Sequence, residues 1–212
     1  MQHNTWKRAA STVTILLASV TLASCGDDEN SGSMPGMEHG TKSAAAPTSA
    51  TTPASEFNDA DVAFASHMIP HHQQALQMAS MAGYMATTPE VKQLATAINA
   101  AQDPEIKLMS GWLTTWGKPI PSPQHGGHGA DEMPGIMTED EMSELGKAKG
   151  SMFDRMWIQM MIKHHQGAVT MAKTEQATGK DPAAVALAKK VESDQNREIA
   201  TMKRLLGQLP VS

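Results

Sequence analysis

The sequence predicts an all-α protein, an antiparallel four-helix bundle built from two duplicated helical hairpins. Three observations predict it. Apolar residues recur every three or four positions over four long stretches, and few segments have strand character. A block of some fifty residues recurs without a gap at an offset of 93. Each block is broken near its middle by a turn with a proline, the arrangement of two helices joined tightly. Aromatic residues are only 4 % of the chain, which argues against a sandwich or barrel.

The first 24 residues read as an export signal. Lys7 and Arg8 give a positive start, and Val13 to Val20 form an apolar run too short to span a bilayer. Leu22-Ala23-Ser24-Cys25 follows. Small residues before a cysteine, directly after such a run, resemble the lipobox of bacterial lipoproteins. That resemblance implies that Cys25 becomes the mature N-terminus and carries lipid on the extracytoplasmic face of the cell membrane. Residues 25–55 are rich in Gly, Ser, Thr, Pro and Ala, a composition that cannot bury enough apolar surface to order itself, so they read as a tether. Within it, Met34-Pro35-Gly36-Met37-Glu38-His39 gathers soft donors.

Residues 56–210 form the expected bundle domain, with repeat units at about 57–116 and 151–208 and a linker at 117–150. The first helix should run from about Asn58 to Met85, with Asn58 or Asp59 as its cap. Pro70 lies inside it and should kink it just before His71. Thr87-Thr88-Pro89 stops that helix and starts the next, which should reach about Trp116. The second unit should give a helix at about Ser151–Thr178, a break at Gly179-Lys180-Asp181-Pro182, and a helix to about Gln208. Between the units, Thr138-Glu139-Asp140-Glu141 has capping-box character and should open a short extra helix. The linker also carries His125-Gly126-Gly127-His128 and Met133-Pro134-Gly135-Ile136-Met137.

Composition narrows the chemistry. The formal net charge is −5 and no basic block exists, so no nucleic-acid partner is expected. One cysteine excludes an intrachain disulfide and a cysteine-based zinc cage. Seventeen Met stand against three Phe, with nine His. Thioether and imidazole are soft and borderline metal ligands.

Spacing places those donors. On a helical wheel His72 sits at the centre of the apolar stripe of its helix, and His165 does the same in the second unit. Met68 and Met161 precede them by four residues. His71 and His164 lie about 100° round, with Met78 and Met171 seven residues on; His67 and Met160 stand on the same flank. On the second helix of each unit, Glu105 and Glu198 fall within an apolar stripe, where a carboxylate is costly unless paired. Counting from turn centres near Thr87 and Lys180 brings His72 level with Glu105, and His165 with Glu198, to within about 4–5 Å. The candidate metal ligands are therefore Met68, His71, His72, Met78, Met161, His164, His165 and Met171, with Glu105 and Glu198 orienting imidazoles and Cys25 as lipid anchor.

No Glu-x-x-His occurs, which argues against a di-iron carboxylate bundle. Zinc has no need of Met. Met with His favours copper, above all Cu(I). Haem between His and Met is the rival cofactor, and a metal-free adaptor bundle is the third reading. For an unperturbed imidazole, proton competition should begin below a pKa of about 6.5.

These residues resemble the bacterial domain-of-unknown-function family numbered 305. Its signature is an Asp followed by Met-Ile-x-His-His-x-x-Ala-x-x-Met-Ala, present twice. Here Asp61 precedes Met68-Ile69-Pro70-His71-His72, Ala75, Met78 and Ala79. Asp154 precedes Met161-Ile162-Lys163-His164-His165, Ala168, Met171 and Ala172. The resemblance implies a ferritin-like four-helix bundle in an exported protein, with copper-binding members acting in copper tolerance. The expectation is a lipid-anchored protein that binds copper and buffers it or delivers it to a copper-handling protein partner. No nucleophile–base pair or phosphate loop argues for catalysis; the alternatives are a metal- or haem-dependent oxidoreductase and a structural adaptor.

Overall fold

The computed structural model describes residues 56–121 and 133–210. The export signal, the tether with Cys25 and Met34–His39, and His125–His128 lie outside the described residues. What is described is helical: α1 (Asp59–Met85), α2 (Pro89–Thr115), α3 (Glu139–Lys147), α4 (Gly150–Thr178) and α5 (Pro182–Gln208).

Local chemistry sets the boundaries. Asn58 caps α1 by accepting from the Ala60 and Asp61 amides, and Asp61 reaches back to the Asn58 amide to complete a capping box. Thr138 and Glu141 build the same box at α3. Pro89 and Pro182 occupy first-turn positions of α2 and α5, where a missing N–H costs nothing. α1 runs through Pro70 as one helix, and α2 runs likewise through Pro104.

α1 packs on α2, and α4 on α5; the two hairpins meet along α1 and α4. Two buried aspartates lock that seam. Asp154, near the start of α4, accepts from the amides and hydroxyls of Thr87 and Thr88 in the α1–α2 turn at 2.6–3.3 Å. Asp61, near the start of α1, accepts from the Lys180 and Asp181 amides in the α4–α5 turn at 2.9–3.1 Å. Each hairpin thus ties down the turn of the other, so α1 and α4 run antiparallel. Burial opposes ionisation of both carboxyls, yet hydrogen bonds win and hold both pKa values below the usual range, from the Asn58 amide, then Glu175 and the α4–α5 turn for Asp61, and from Thr87 and Thr88 for Asp154.

The core divides into two apolar halves. One contains Ala75, Met78, Ile98, Phe153, Trp157, Met161 and Met202. The other contains Phe64, Met68, Ile69, Met109, Ala172, Leu187 and Val191. Neither includes the residues at mid-height, which are polar.

A candidate metal centre in a buried polar layer

At mid-height α1 and α4 contribute His71, His72, His164 and His165, none more than 1 % exposed. α2 and α5 contribute Gln102, Glu105, Gln195 and Glu198. The His71 and His164 rings face each other across the seam, with centroids 3.8 Å apart and planes inclined by 39°. His165 lies 6.3 Å beyond His164.

Three of the four imidazoles have one nitrogen committed to oxygen. His72 Nε2 is 2.9 Å from Glu105 Oε2, and His165 Nε2 is 2.6 Å from Glu198 Oε2. His71 Nε2 is 3.2 Å from the Pro134 carbonyl. A carbonyl can only accept, so His71 Nε2 carries the proton. Burial first, then the neighbouring His72, lowers the His71 pKa to about 3, so the ring is neutral and Nδ1 keeps a free lone pair. The His72 pKa is also lowered, chiefly by burial, although Glu105 pulls the other way. Burial opposes ionisation of Glu105, but bonds from His72 and from Lys190 Nζ at 2.7 Å outweigh it and hold its pKa low. An ionised Glu105 accepts from His72 Nε2, leaving the His72 Nδ1 lone pair open as well. Burial and the other three imidazoles push the His164 pKa well below the ordinary value.

The open nitrogens matter because buried polar atoms in native proteins are nearly always partnered. In this layer Nδ1 of all four histidines and Nε2 of His164 have no hydrogen-bond partner, nor do both amide atoms of Gln102 and Oε1 of Gln195. These open imidazole nitrogens, two on rings bound to a carboxylate and one on a ring bound to a carbonyl through the far nitrogen, form a donor set suited to a borderline or soft metal. Among the described residues no three His, Cys, Asp or Glu side chains stand together as a ready-made cage. The imidazoles pair rather than converge, a geometry suited to low-coordinate ions.

The sulfurs are distributed differently. Met68, Met78 and Met161 are fully buried, Met68 in one apolar half and the other two in the opposite half. Met68 and Met161 stand one turn from His72 and His165 on the same helix faces. Met171 is half-buried and lines an outer cavity with His67. Of the eight predicted ligands, the four histidines share the buried layer, Met68, Met78 and Met161 lie buried in the apolar halves, and Met171 stands apart in the outer cavity.

Three participants do not follow from the spacing of His, Met and Glu. Lys190 bridges α5 to Glu105; its counterpart at the 93-residue offset is Ala97, so the two His–Glu pairs differ. Pro134 supplies the carbonyl on His71. Gly167 makes room for it: a β-carbon there would lie 1.8 Å from Pro134 O. A glycine inside a strongly helical pattern is the signal that marks such a close approach.

Similarity to other proteins agrees with this geometry. The family model described as domain of unknown function (DUF305) matches residues 61–206. No curated protein matches the chain. Among solved structures, a DUF305 protein of Streptomyces coelicolor is 34 % identical, with 70 % of this chain and 91 % of that one covered and a TM-score of 0.64. A DUF305 fragment from Deinococcus radiodurans is 32 % identical, with 72 % and 98 % covered and a TM-score of 0.65. CopM in its Cu(II)-bound form is 36 % identical, with 70 % and 96 % covered and a TM-score of 0.61; CopM structures with Cu(I) and with silver are also similar.

Proposed function

The chain belongs to the DUF305 family, and on that premise we propose that it is a copper-binding protein, lipid-anchored through Cys25 at the extracytoplasmic face of a membrane, that buffers copper or delivers it to a partner protein. The observation that carries the copper reading is the buried His71–His164 pair, whose Nδ1 atoms have no partner. Copper is cargo here rather than a resident cofactor. His71 and His164 would take the ion across the seam, with His72 and His165 beside them. The carboxylates of Glu105 and Glu198 hold two of these rings in the tautomer that offers Nδ1. Met68, Met78 and Met161 supply thioether sulfur on either side, and sulfur with imidazole favours Cu(I) over zinc. Neutral ligands bind a monovalent ion without stranding a net negative charge in the core, which also lets the ion leave again. The similarity to copper-bound CopM supports the reading. The lipid anchor rests on the Leu22–Cys25 motif and the tether that follows it.

The test is a Cu(I) titration against a chromophoric competitor. Wild type should bind Cu(I) more tightly than zinc. Replacing His71, His72, His164 and His165 together by Gln should remove most of that binding while the far-ultraviolet helix signal persists. Equal binding by the quadruple variant would overturn the central site. Cys25→Ser should release the protein from membranes, and wild type that partitions away from detergent would refute the anchor.

A further inference from the structure

The α1–α4 seam has two flanks related by the 93-residue offset, and they are finished differently. On one flank Met78 and Met160 belong to an apolar cluster with Met81, Met137 and Leu145, so α3 and the segment before it seal that side. The counterparts of Met78 and Met160 are Met171 and His67. On their flank the seam holds an open cavity of about 130 Å³. Ala60, Ala63 and Phe64 form its apolar wall, His67 enters from α1, and Met171 and Glu175 enter from α4. His67 is exposed and Met171 half-buried, so one imidazole and one thioether side chain line the same open pocket.

We infer that His67 and Met171 form a second, solvent-facing site for a soft monovalent cation, Cu(I) or Ag(I), distinct from the buried histidine layer. The donor chemistry selects the class: one imidazole and one thioether on two helices suit a low-coordinate d10 ion, whereas zinc and harder divalent cations seek more nitrogen and oxygen donors. Glu175 brings no charge to the pocket near pH 7, because burial and the Asp61 carboxyl beside it hold it neutral. His67 lies one helical turn from His71, about 6 Å along α1. The pocket is thus a receiving point from which an ion reaches the central pair in one short transfer. This inference rests on the copper reading above and extends it to the route by which the ion enters.

Ag(I) titration of the full chain with 13C-methyl-labelled methionine tests it. Ag(I) should shift the Met171 methyl resonance. It should still do so in His71→Gln/His164→Gln, which lacks the central pair. The His67→Gln/Met171→Leu variant should bind one equivalent fewer and load the central layer more slowly, with an unchanged helix signal. If Ag(I) binds the central layer while the Met171 methyl stays unmoved, the receiving site is refuted and the copper reading stands. If wild type binds neither Ag(I) nor Cu(I), both fall.

Discussion

The Pro134 carbonyl crosses α4 at Gly167, so close that a β-carbon on Gly167 would stand 1.8 Å from the carbonyl oxygen. That approach brings the same oxygen to 3.2 Å from His71 Nε2. Gly135, at φ 78°, lets the strand of chain turn there, and a β-carbon on it would lie 2.6 Å from Lys163 O. The segment that leads into α3 is therefore what fixes the His71 tautomer.

Gly167→Ala should accordingly destabilise the protein, although alanine favours helix. Overpacking against backbone typically costs about 1–3 kcal/mol. Gly83 in α1 is the control, because a β-carbon there meets nothing within 4 Å. Gly83→Ala should stabilise by about 0.5–1 kcal/mol through backbone entropy alone. Urea unfolding of both variants reads the two signs, and a stabilising Gly167→Ala would show that the strap is loosely held.

The two His–Glu pairs should differ in strength. The Glu105 side chain is 10 % exposed and binds both His72 and Lys190; the Glu198 side chain is 20 % exposed, with His165 at 2.6 Å. Glu105→Ala leaves His72 without its acceptor and Lys190 without its anion, and loss of one partner of such a buried pair costs about 3–5 kcal/mol. Glu198→Ala should cost clearly less, since water reaches that side. Equal losses in chemical denaturation would refute the asymmetry.

Much of this architecture is legible in the sequence because its signals are local. Asn58, Thr138, Pro89 and Pro182 mark helix starts through caps and fixed φ, and four-residue spacing puts His72 and His165 on the buried face. The pairing of His72 with Glu105 follows from helix rise and a short turn. The cross-seam relationships are less legible. His71 meeting His164, Asp154 holding the Thr87–Thr88 turn and Met171 sharing a pocket with His67 depend on how two hairpins dock, which no within-helix spacing encodes. Pro70 does not end α1, which continues through it from Asp59 to Met85.

Glu175 gives a pH prediction for the folded state. It is 1 % exposed, and burial, then hydrogen bonding to Asp61, raises its pKa from 4.5 to about 8. Between those values the folded chain holds a proton that the unfolded chain has released. The contribution of Glu175 to stability must then fall as pH rises from 4.5 to 8. Glu175→Gln mimics the neutral acid, so it should gain on wild type across that window, by up to about 1.4 kcal/mol for each step of one in pH. Urea midpoints at pH 5, 6.5 and 8 measure it. Parallel curves for the two proteins would mean that Glu175 ionises normally.

The last prediction concerns copper in acid. An exposed imidazole loses a bound metal to protons below a pKa of about 6.5. His71 is different, because burial and then His72 lower its pKa to about 3, and His164 is lowered as well. Protons therefore compete weakly at the central pair until pH approaches those lower values, and Cu(I) should be retained through pH 5. The metal-free protein should behave in the opposite sense. In the unfolded chain His71 and His164 take up protons from about pH 6.5 downward while in the folded chain they do not, so their contribution to stability, present above 6.5, is lost progressively as pH falls towards 3. Saturating Cu(I) should offset that loss, by about 4 kcal/mol at a thousandfold excess over the dissociation constant. Thermal unfolding with and without Cu(I) from pH 7 to 4 tests both halves. The gap between the two curves should persist at pH 5. A gap that closes near pH 6.5 would assign the bound copper to solvent-exposed imidazoles and would remove the buried pair from the binding site.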